Sequence, residues 1–422
     1  MRQSAFNHLA ALPEGGFALY NFLTGTCLRL SVLSRDYYDN FDLYGENSEP
    51  VRKLVNLGFL VDYDEHAYLR NRVRLECGNT SVLRLTICPT LQCNFACPYC
   101  YEAARGGKMG QHVQDELVAF ARAAVERYRP SALDVCWYGG EPLLEPQVIR
   151  RLSARLIALA DERGISYSAN AITNGYFLDA QMAAVLDECR VGSLQVTLDG
   201  PDAQTHDATR HLRSGGGTFE RIMRNISSFS GKSEIVVRCN VHKGNAGTYS
   251  DLEDRLLELG RENDRQISVY PGHMDGCGSY KDMAMPAEEF ADFRRATTKT
   301  VERAGYGGPM CMVPKMLDFV VDERGNLYKC LESVGRDDES FGNVRDYDFA
   351  KPQSGNMDVL SSWYDFAWPD DEECLGCPVL PVCLGGCPQR RREGAKECAS
   401  IKPLLDEYVI ALAEELMDRD RG

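Results

Sequence analysis

The amino-acid sequence predicts an α/β protein built around a parallel β-sheet whose faces are covered by helices. Strand-like and helix-like segments alternate six times from residue 81 onward, and no long run of strands interrupts them. Such alternation is typical of parallel sheets, because parallel strands are joined through helical crossover connections. A small α+β domain at residues 1–75 precedes this central region of residues 81–305. A cysteine-rich segment at 306–405 and a helix at 406–422 follow it.

The first 75 residues predict a small α+β domain. Residues 17–23 and 27–31 are strand-like runs joined through Thr24, Gly25 and Thr26, which is a hairpin signal. An amphipathic segment then leads into residues 51–61, where a helix that ends at Gly58 would precede another strand. On these features alone, the segment is equally well interpreted as a domain that only caps its neighbour.

The central region supplies one β-α unit after another. Helix 111–128, for example, places the apolar residues Val113, Leu117, Phe120 and Ala124 at helical spacing. The predicted strands are 81–87, 133–138, 166–172, 194–198, 235–241 and 267–270. Helices are predicted at 111–128, 146–160 and 179–188, with a helical stretch after each later strand. Periodicity does not decide whether the sheet closes, but in either case reactive groups belong at the carboxyl ends of the strands.

Composition and charge exclude several classes of protein. The chain has 47 basic and 62 acidic side chains, and its net charge of -15 argues against a nucleic-acid partner. No apolar run approaches the roughly 18 residues that a membrane span needs, and residues 1–16 lack the apolar core of a signal peptide. We therefore expect a cytoplasmic protein that binds neither membrane nor nucleic acid and that acts on small or peptide substrates.

Cysteine is the unusual component of this composition. The chain contains 17 cysteines, and in a reducing cytoplasm they indicate metal or redox chemistry rather than disulfides. Three of them fall within residues 93–100 and five within residues 374–398. The scattered cysteines are expected to be small buried hydrophobic residues, as isolated cysteines usually are. They are Cys27, Cys77, Cys88, Cys136, Cys189 and Cys239.

The first cysteine group follows the first predicted strand of the central region. Cys93, Cys97 and Cys100 supply three thiolates that one loop can fold around a cuboidal iron–sulfur cluster. Because a [4Fe-4S] cluster normally takes four ligands, one iron would remain open to a ligand other than the protein. A zinc knuckle that lacks its fourth ligand is the alternative for the same spacing.

This cysteine spacing, with Tyr99 before the last cysteine, resembles the signature of the radical S-adenosylmethionine (SAM) superfamily. Further segments at successive strand ends are similar to that family: Gly139-Gly140-Glu141-Pro142, Thr173-Asn174-Gly175, Thr197 to Pro201, and Arg238. The resemblance implies a partial (β/α)6 TIM-like barrel. It implies that the SAM-binding residues are Tyr99, Gly139, Gly140, Glu141, Pro142, Thr173, Asn174, Asp199 and Arg238.

The resemblance also implies a reaction. The amino and carboxylate groups of SAM would bind the open iron, and one electron from a donor such as flavodoxin or ferredoxin would cleave SAM to a 5'-deoxyadenosyl radical. This chemistry belongs to the cofactor, whereas the protein orients the reactants and excludes water. The sequence names no catalytic base.

The later cysteines form a second signal. Seven of them, from Cys311 onward, do not divide into sets of four, and no histidine follows His273 to complete mixed zinc sites, although zinc remains the alternative on spacing. Their order resembles the SPASM domain, which carries auxiliary clusters behind radical SAM barrels. The resemblance implies that Cys311, Cys330 and Cys387 hold a first auxiliary cluster, and that Cys374, Cys377, Cys383 and Cys398 hold a second. With the barrel cluster this makes three [4Fe-4S] clusters; substrate, water or Cys277 could complete the first auxiliary one.

Two enzyme reactions and one structural role are compatible with these features. Radical SAM enzymes with SPASM domains include peptide maturases, which form thioether or other cross-links in ribosomally made precursor peptides. They also include sulfatase-maturating dehydrogenases, which oxidise Cys or Ser to formylglycine. The residues ahead of Cys93 resemble a leader-peptide recognition element, in which a leader could add a strand to an exposed sheet edge. We therefore expect a peptide maturase, with the dehydrogenase as the alternative and a zinc-stabilised scaffold as the non-enzymatic one.

Overall fold

The computed structural model describes residues 1–102, 106–274, 278–297, 310–351, 354–365 and 368–421. Internal contacts divide the chain into two compact units, each discontinuous in sequence. The first unit contains Met1–Gly78, Ala287–Cys311 and Asp365–Gly422, and the second contains Asn79–Pro286 and Met312–Tyr364. The segment 306–405, predicted as one domain, therefore contributes residues to both units. Cys277 lies outside the described residues.

The N-terminal part of the first unit is a small antiparallel sheet with four helices. Strands β2 (Asn7–Ala11), β3 (Phe17–Asn21) and β4 (Thr26–Leu30) form the sheet in that order, and β1 (Arg2–Gln3) pairs with β5 (Leu60–Val61). The predicted hairpin is present as β3 and β4, and Gly25 takes a left-handed conformation in its turn. The helices are α1 (Val32–Asp39), α2 (Phe41–Tyr44), α3 (Glu49–Asn56) and α4 (Glu65–Cys77).

The second unit contains the predicted succession of strands and helices. Its first six strands pair in sequence order and are all parallel, so their carboxyl ends lie along one edge of the sheet. They are β6 (Val82–Ile87), β7 (Ala132–Trp137), β8 (Ser166–Thr173), β9 (Val191–Thr197), β10 (Glu234–Val241) and β11 (Ile267–His273). The helices between them are α5 (Gln111–Tyr128), α6 (Pro146–Arg163), α7 (Ala180–Glu188), α8 (Ala203–Asp207), α9 (Phe219–Ser227) and α10 (Tyr249–Glu262).

A hairpin from later in the chain extends this sheet. Helix α11 (Ala287–Thr297) belongs to the first unit, and β12 (Asp318–Val321) then pairs in parallel with β6. Strands β13 (Asn326–Tyr328) and β14 (Gly342–Asn343) continue the sheet in antiparallel pairing, so that this sheet has nine strands among the described residues. Helix α12 (Met357–Tyr364) ends this part. Short 3-10 segments occur at Pro142–Leu144, Ala246–Thr248, Gly278–Met283, Leu331–Ser333, Asp337–Glu339 and Lys402–Leu404.

The C-terminal part of the first unit packs on the N-terminal sheet. It contains α13 (Glu372–Leu375), α14 (Leu380–Cys383), α15 (Pro388–Arg392) and α16 (Leu405–Arg421). One face of the sheet shares a buried core with α14 and α16, and the other face packs on α1 and α3. The shared core contains Ala10, Leu12, Ala18, Tyr20, Phe22, Val379, Val409, Leu412 and Ala413. No helix in the described part of the chain is long and apolar enough to cross a membrane.

Candidate functional site

The first cysteine group lies on the loop that leaves the carboxyl end of β6. This loop is fixed to a later segment, because Ala96 N–H donates to the carbonyl of His211 at 3.0 Å and the Arg213 side chain donates to the carbonyl of Cys93 at 2.9 Å. Burial raises the pKa of Cys93 to about 12 and that of Cys100 to about 11. As bare thiols both are protonated at neutral pH, so a bound cation is needed to make them thiolates.

The paired glycines after β7 permit a close approach to the cysteine loop. A Cβ atom on Gly139 would lie 2.4 Å from the carbonyl oxygen of Thr90, and one on Gly140 would lie 2.2 Å from that of Gln92. The backbone N–H of Glu141 donates to the same Gln92 carbonyl at 2.8 Å. The glycines therefore bring the end of β7 against the loop that carries Cys93.

Glu141 joins the ends of β7 and β8. Its fully buried carboxylate accepts hydrogen bonds from Thr173 Oγ1 and from the Asn174 N–H, both at 2.7 Å. Burial raises its pKa, while these hydrogen bonds lower it. The Asn174 amide group in turn donates to Asn94 Oδ1 at 2.8 Å and lies 3.8 Å from Cys93 Sγ. These contacts place three predicted SAM-binding residues, Glu141, Thr173 and Asn174, in one network at the cysteine loop, and Pro142 is buried next to it.

Tyr99 connects the cysteine loop to the ends of β9 and β10. Its hydroxyl donates to Asp199 Oδ2 and accepts from Arg210 Nη1 at 2.8 Å and from Asn240 Nδ2 at 3.2 Å. Burial raises the pKa of Tyr99, which keeps the phenol protonated and able to donate. Arg238 reaches the same group through Asn240, whose Oδ1 accepts from Arg238 Nε at 2.9 Å. The structure therefore also brings together the predicted residues Tyr99, Asp199 and Arg238.

Arg210 is a site residue that the sequence analysis missed. It is 7% exposed, its guanidinium lies 5.6 Å from the centre of the Phe95 ring, and its Nε has no hydrogen-bond partner among the described residues. Burial raises the pKa of the Cys97 thiol, and the positive charge of Arg210 opposes that rise. Asn240 was missed as well. Both are single residues in an aperiodic loop or a strand, so no pattern in the sequence distinguishes them.

The four cysteines assigned to the second auxiliary cluster line one pocket in the first unit. Burial raises the pKa of Cys374 to about 11 and also raises that of Cys383. The cavity is lined by Cys374, Cys377, Cys383, Cys398, Val379, Leu380, Gly385, Ala399 and Lys402. Four thiols around one mostly apolar cavity fit an iron–sulfur cluster.

The three cysteines assigned to the first auxiliary cluster are distributed over both units. Cys311 and Cys387 belong to the first unit and Cys330 to the second. Across the described residues, no three His, Cys, Asp or Glu side chains converge closely enough to hold a single metal ion. Of the scattered cysteines, Cys88, Cys189 and Cys239 are buried, as expected. The others, Cys27, Cys77 and Cys136, are partly buried against apolar cores.

Several relatives match most of the chain, and three of them illustrate the similarity. An uncharacterized protein of Archaeoglobus fulgidus is 30% identical over 71% of this chain and 73% of its own length. The serine-type anaerobic sulfatase-maturating enzyme of Klebsiella aerogenes is 22% identical over 70% of this chain and 77% of its own length. The mycofactocin maturase MftC of Mycobacterium ulcerans is 27% identical over 74% and 85%, respectively.

Solved structures that share the fold include two that contain a bound peptide. The enzyme anSMEcpe, with bound AdoMet and the Cp18Cys peptide, matches 80% of this chain and 98% of its own at a TM-score of 0.60 and 19% identity. SuiB of Streptococcus suis, bound to its precursor peptide SuiA, matches 95% and 99% at a TM-score of 0.51 and 14% identity. Residues 87–269, which contain the cysteine loop and both hydrogen-bond networks, match the radical SAM superfamily, whose members bind SAM and an iron–sulfur cluster. The chain is therefore an enzyme of the radical SAM superfamily.

Proposed function

We propose that this enzyme is a peptide maturase that forms a thioether or another cross-link in a ribosomally made precursor peptide. The observation that carries the proposal concerns the first unit. There a small sheet with an edge strand shares its buried core with the segment that lines the pocket of four thiols. Relatives named as a mycofactocin maturase and a sulfatase-maturating enzyme support an action on peptides. The reaction needs a reducing compartment, which the cytoplasm provides.

We assign the site residues to roles in this reaction. Cys93, Cys97 and Cys100 hold a cluster with one open iron, and the charge of Arg210 offsets part of the negative charge of their thiolates. When bound, the cluster and SAM supply a 5'-deoxyadenosyl radical that abstracts hydrogen from the peptide, after one electron arrives from a donor such as flavodoxin or ferredoxin.

The residues around the cysteine loop hold and orient SAM. The Glu141 network fixes Gly139, Gly140, Pro142, Thr173 and Asn174 beside the cysteine loop, where backbone and side-chain groups are available for the amino-acid part of SAM. The Tyr99 hydroxyl holds Asp199 and Asn240 in place, and through Asn240 it orients Arg238 for the SAM carboxylate or ribose. Buried hydrogen bonds of this kind preorganise a site. A buried polar group without its hydrogen-bond partner costs free energy, so the side chains stay in the paired arrangement.

The strand edge of β4 is the proposed binding site for the leader of the precursor peptide. β4 is an edge of its sheet, and an open groove lies beside its end, at Arg29 and Leu30. Eight of the thirteen large apolar side chains exposed in the described chain lie in residues 32–75, and exposed apolar side chains are what a docking peptide would cover. They are Val32, Leu33, Leu43, Tyr44, Val55, Tyr63, Tyr68 and Leu75. An extended leader would pair with β4 through its backbone and place apolar side chains on this surface.

The experiment that tests the function uses a precursor peptide encoded beside the enzyme, with SAM and dithionite under anaerobic conditions. We expect 5'-deoxyadenosine and a peptide with a new internal bond, which tandem mass spectrometry detects as a segment that does not fragment. An aldehyde that reacts with hydrazine, without a cross-link, would instead establish the sulfatase-type dehydrogenase, the reaction named for the Klebsiella relative.

Iron content tests the proposed number of clusters. We assign Cys311, Cys330 and Cys387 to a first auxiliary cluster and Cys374, Cys377, Cys383 and Cys398 to a second, as in a SPASM domain. With the barrel cluster, anaerobically reconstituted protein is expected to contain about 12 irons, four per cluster, and a matching amount of sulfide. Stoichiometric zinc with little iron, measured by mass spectrometry of the metals, would contradict the assignment.

A further inference from the structure

The cavity lined by Cys374, Cys377, Cys383 and Cys398 has one charged lining residue, Lys402. Its Nζ lies 3.7 Å from Cys398 Sγ, within reach of an N–H···S hydrogen bond. The backbone at Lys402 is held as well, because its N–H donates to the carbonyl of Ala399, the residue after Cys398, at 2.9 Å. The side chain is 33% exposed, so water screens its charge only in part.

Acidic side chains hold this lysine and join the two segments that carry the cysteines. Lys402 Nζ donates to Glu373 Oε1 at 2.6 Å, and Lys396 Nζ donates to Glu373 Oε2 at 2.9 Å. Lys396 also contacts Asp371 at 2.8 Å, and the same Asp371 oxygen accepts from the Cys374 N–H at 2.9 Å. These contacts therefore hold residues 371–374 against residues 396–402. The ammonium group of Lys402 is the part of this network that lies beside the Cys398 sulfur.

We propose that Lys402 is a positioning residue that raises the reduction potential of the second auxiliary cluster. The inference rests on the proposed function, in which these four cysteines hold that cluster. Reduction adds one electron and thus one negative charge, and a cation beside a ligand sulfur stabilises the reduced state more than the oxidised one. Hydrogen bonds to the ligand sulfurs and local charge are general means by which proteins set cluster potentials.

The Glu373 carboxylate acts in the opposite direction. It is a negative charge paired with the same ammonium group that lies beside Cys398, so it neutralises part of the lysine charge. Removal of the Glu373 charge should therefore raise the potential, whereas removal of the Lys402 charge should lower it. A network that only held the fold together would not produce shifts of opposite sign.

The test measures the potentials of the auxiliary clusters in the full-length protein. Cys93, Cys97 and Cys100 are replaced with alanine to remove the barrel cluster, and dye-mediated titration is followed by electron paramagnetic resonance. K402M is expected to move the reduction equilibrium of one cluster about tenfold toward the oxidised form, or about 59 mV for one electron, and leave the other cluster unchanged. K402R is expected to restore most of the wild-type potential. K53M removes an equal charge from an exposed position on α3 and is expected to change neither potential.

Iron and sulfide are measured on every sample before titration. Suppose that the variants retain their iron. If K402M then leaves both potentials unchanged, or if K402R shifts the potential as far as K402M does, the inference is wrong while the proposed cluster stands. If K402M does not retain its iron, E373Q decides: a shift toward the reduced form supports the inference, and no shift or the opposite shift overturns it. The reference sample carries the alanine replacements at Cys93, Cys97 and Cys100 and keeps Lys402. If it holds no iron at the four auxiliary cysteines, the proposed cluster itself is wrong, and the inference with it.

Discussion

Replacement of Cys93, Cys97 and Cys100 with alanine is expected to remove about four irons and to abolish reductive cleavage of SAM. These three thiols share one loop at the carboxyl end of β6, and no side chain in the Glu141 or Tyr99 networks is a thiol that could replace them. The auxiliary cysteines are elsewhere in the chain and should keep their iron. The measurements are iron content and dithionite-driven formation of 5'-deoxyadenosine.

A matched control separates loss of the ligands from loss of a cysteine. C189A changes a thiol that is 1% exposed in the second unit and belongs to none of the assigned ligand sets. It is expected to retain all iron and the wild-type rate, with only the modest stability cost of a small cavity. If the triple variant cleaves SAM at the wild-type rate, the loop is not the site of the radical-generating cluster.

Deletion of residues 1–75 is expected to unfold the first unit rather than remove an independent module. The sheet β2–β4 shares its core with α14 and α16, so the deletion would expose side chains such as Val379, Val409 and Leu412. Each large apolar side chain returned to water costs roughly 1.5–3 kcal/mol, and several together exceed the stability margin of an ordinary domain. Soluble yield, iron content and a thermal melt measure the effect.

Surface variants separate leader binding from this structural role. L33K changes an α1 side chain that is 64% exposed, so we expect a stability change within about 0.5 kcal/mol but a large loss of affinity for the precursor peptide. L257K, at a position 38% exposed on α10, is the control and should bind the peptide normally. A soluble, fully loaded deletion protein that processes the precursor as well as the intact enzyme would exclude both roles of the N-terminal sheet.

The elements with clear periodicity could be predicted from the sequence. Helix α5 has the predicted bounds because its apolar residues recur at helical spacing and are buried from Val113 to Val125. Strand β9 begins at Val191, before the predicted start. Arg190 takes a left-handed conformation just ahead of it, and pairing with β8 extends the strand to Val191. The prediction began later because Gly192 carries no apolar signal. Strand β11 likewise continues through Pro271 and Gly272 because β10 pairs with it up to His273. Pairing with a neighbour decides such ends, and a single sequence does not reveal it.

The site divides in the same way. Residues in spaced motifs, such as Cys93 and Glu141, could be identified because the spacing itself carries the chemistry. Arg210 could not, because its importance arises from a contact with Tyr99, which is 111 positions away in sequence. The packing of the N-terminal sheet on the C-terminal helix was also invisible, since it depends on contacts between opposite ends of the chain.

The composition of the first unit has a consequence for synthesis of the chain. Its sheet is made from Met1–Gly78, which leave the ribosome before the β/α unit, but the helix that covers one face of that sheet comes from Asp365–Gly422, which leave the ribosome after it. Ala18, Tyr20 and Phe22 therefore stay uncovered until that helix has been made, while the β/α unit that lies between the two segments in sequence can already fold. The first unit therefore cannot be completed until Asp365–Gly422 has been synthesised, which makes its completion a late step in folding and a natural point of engagement for chaperones.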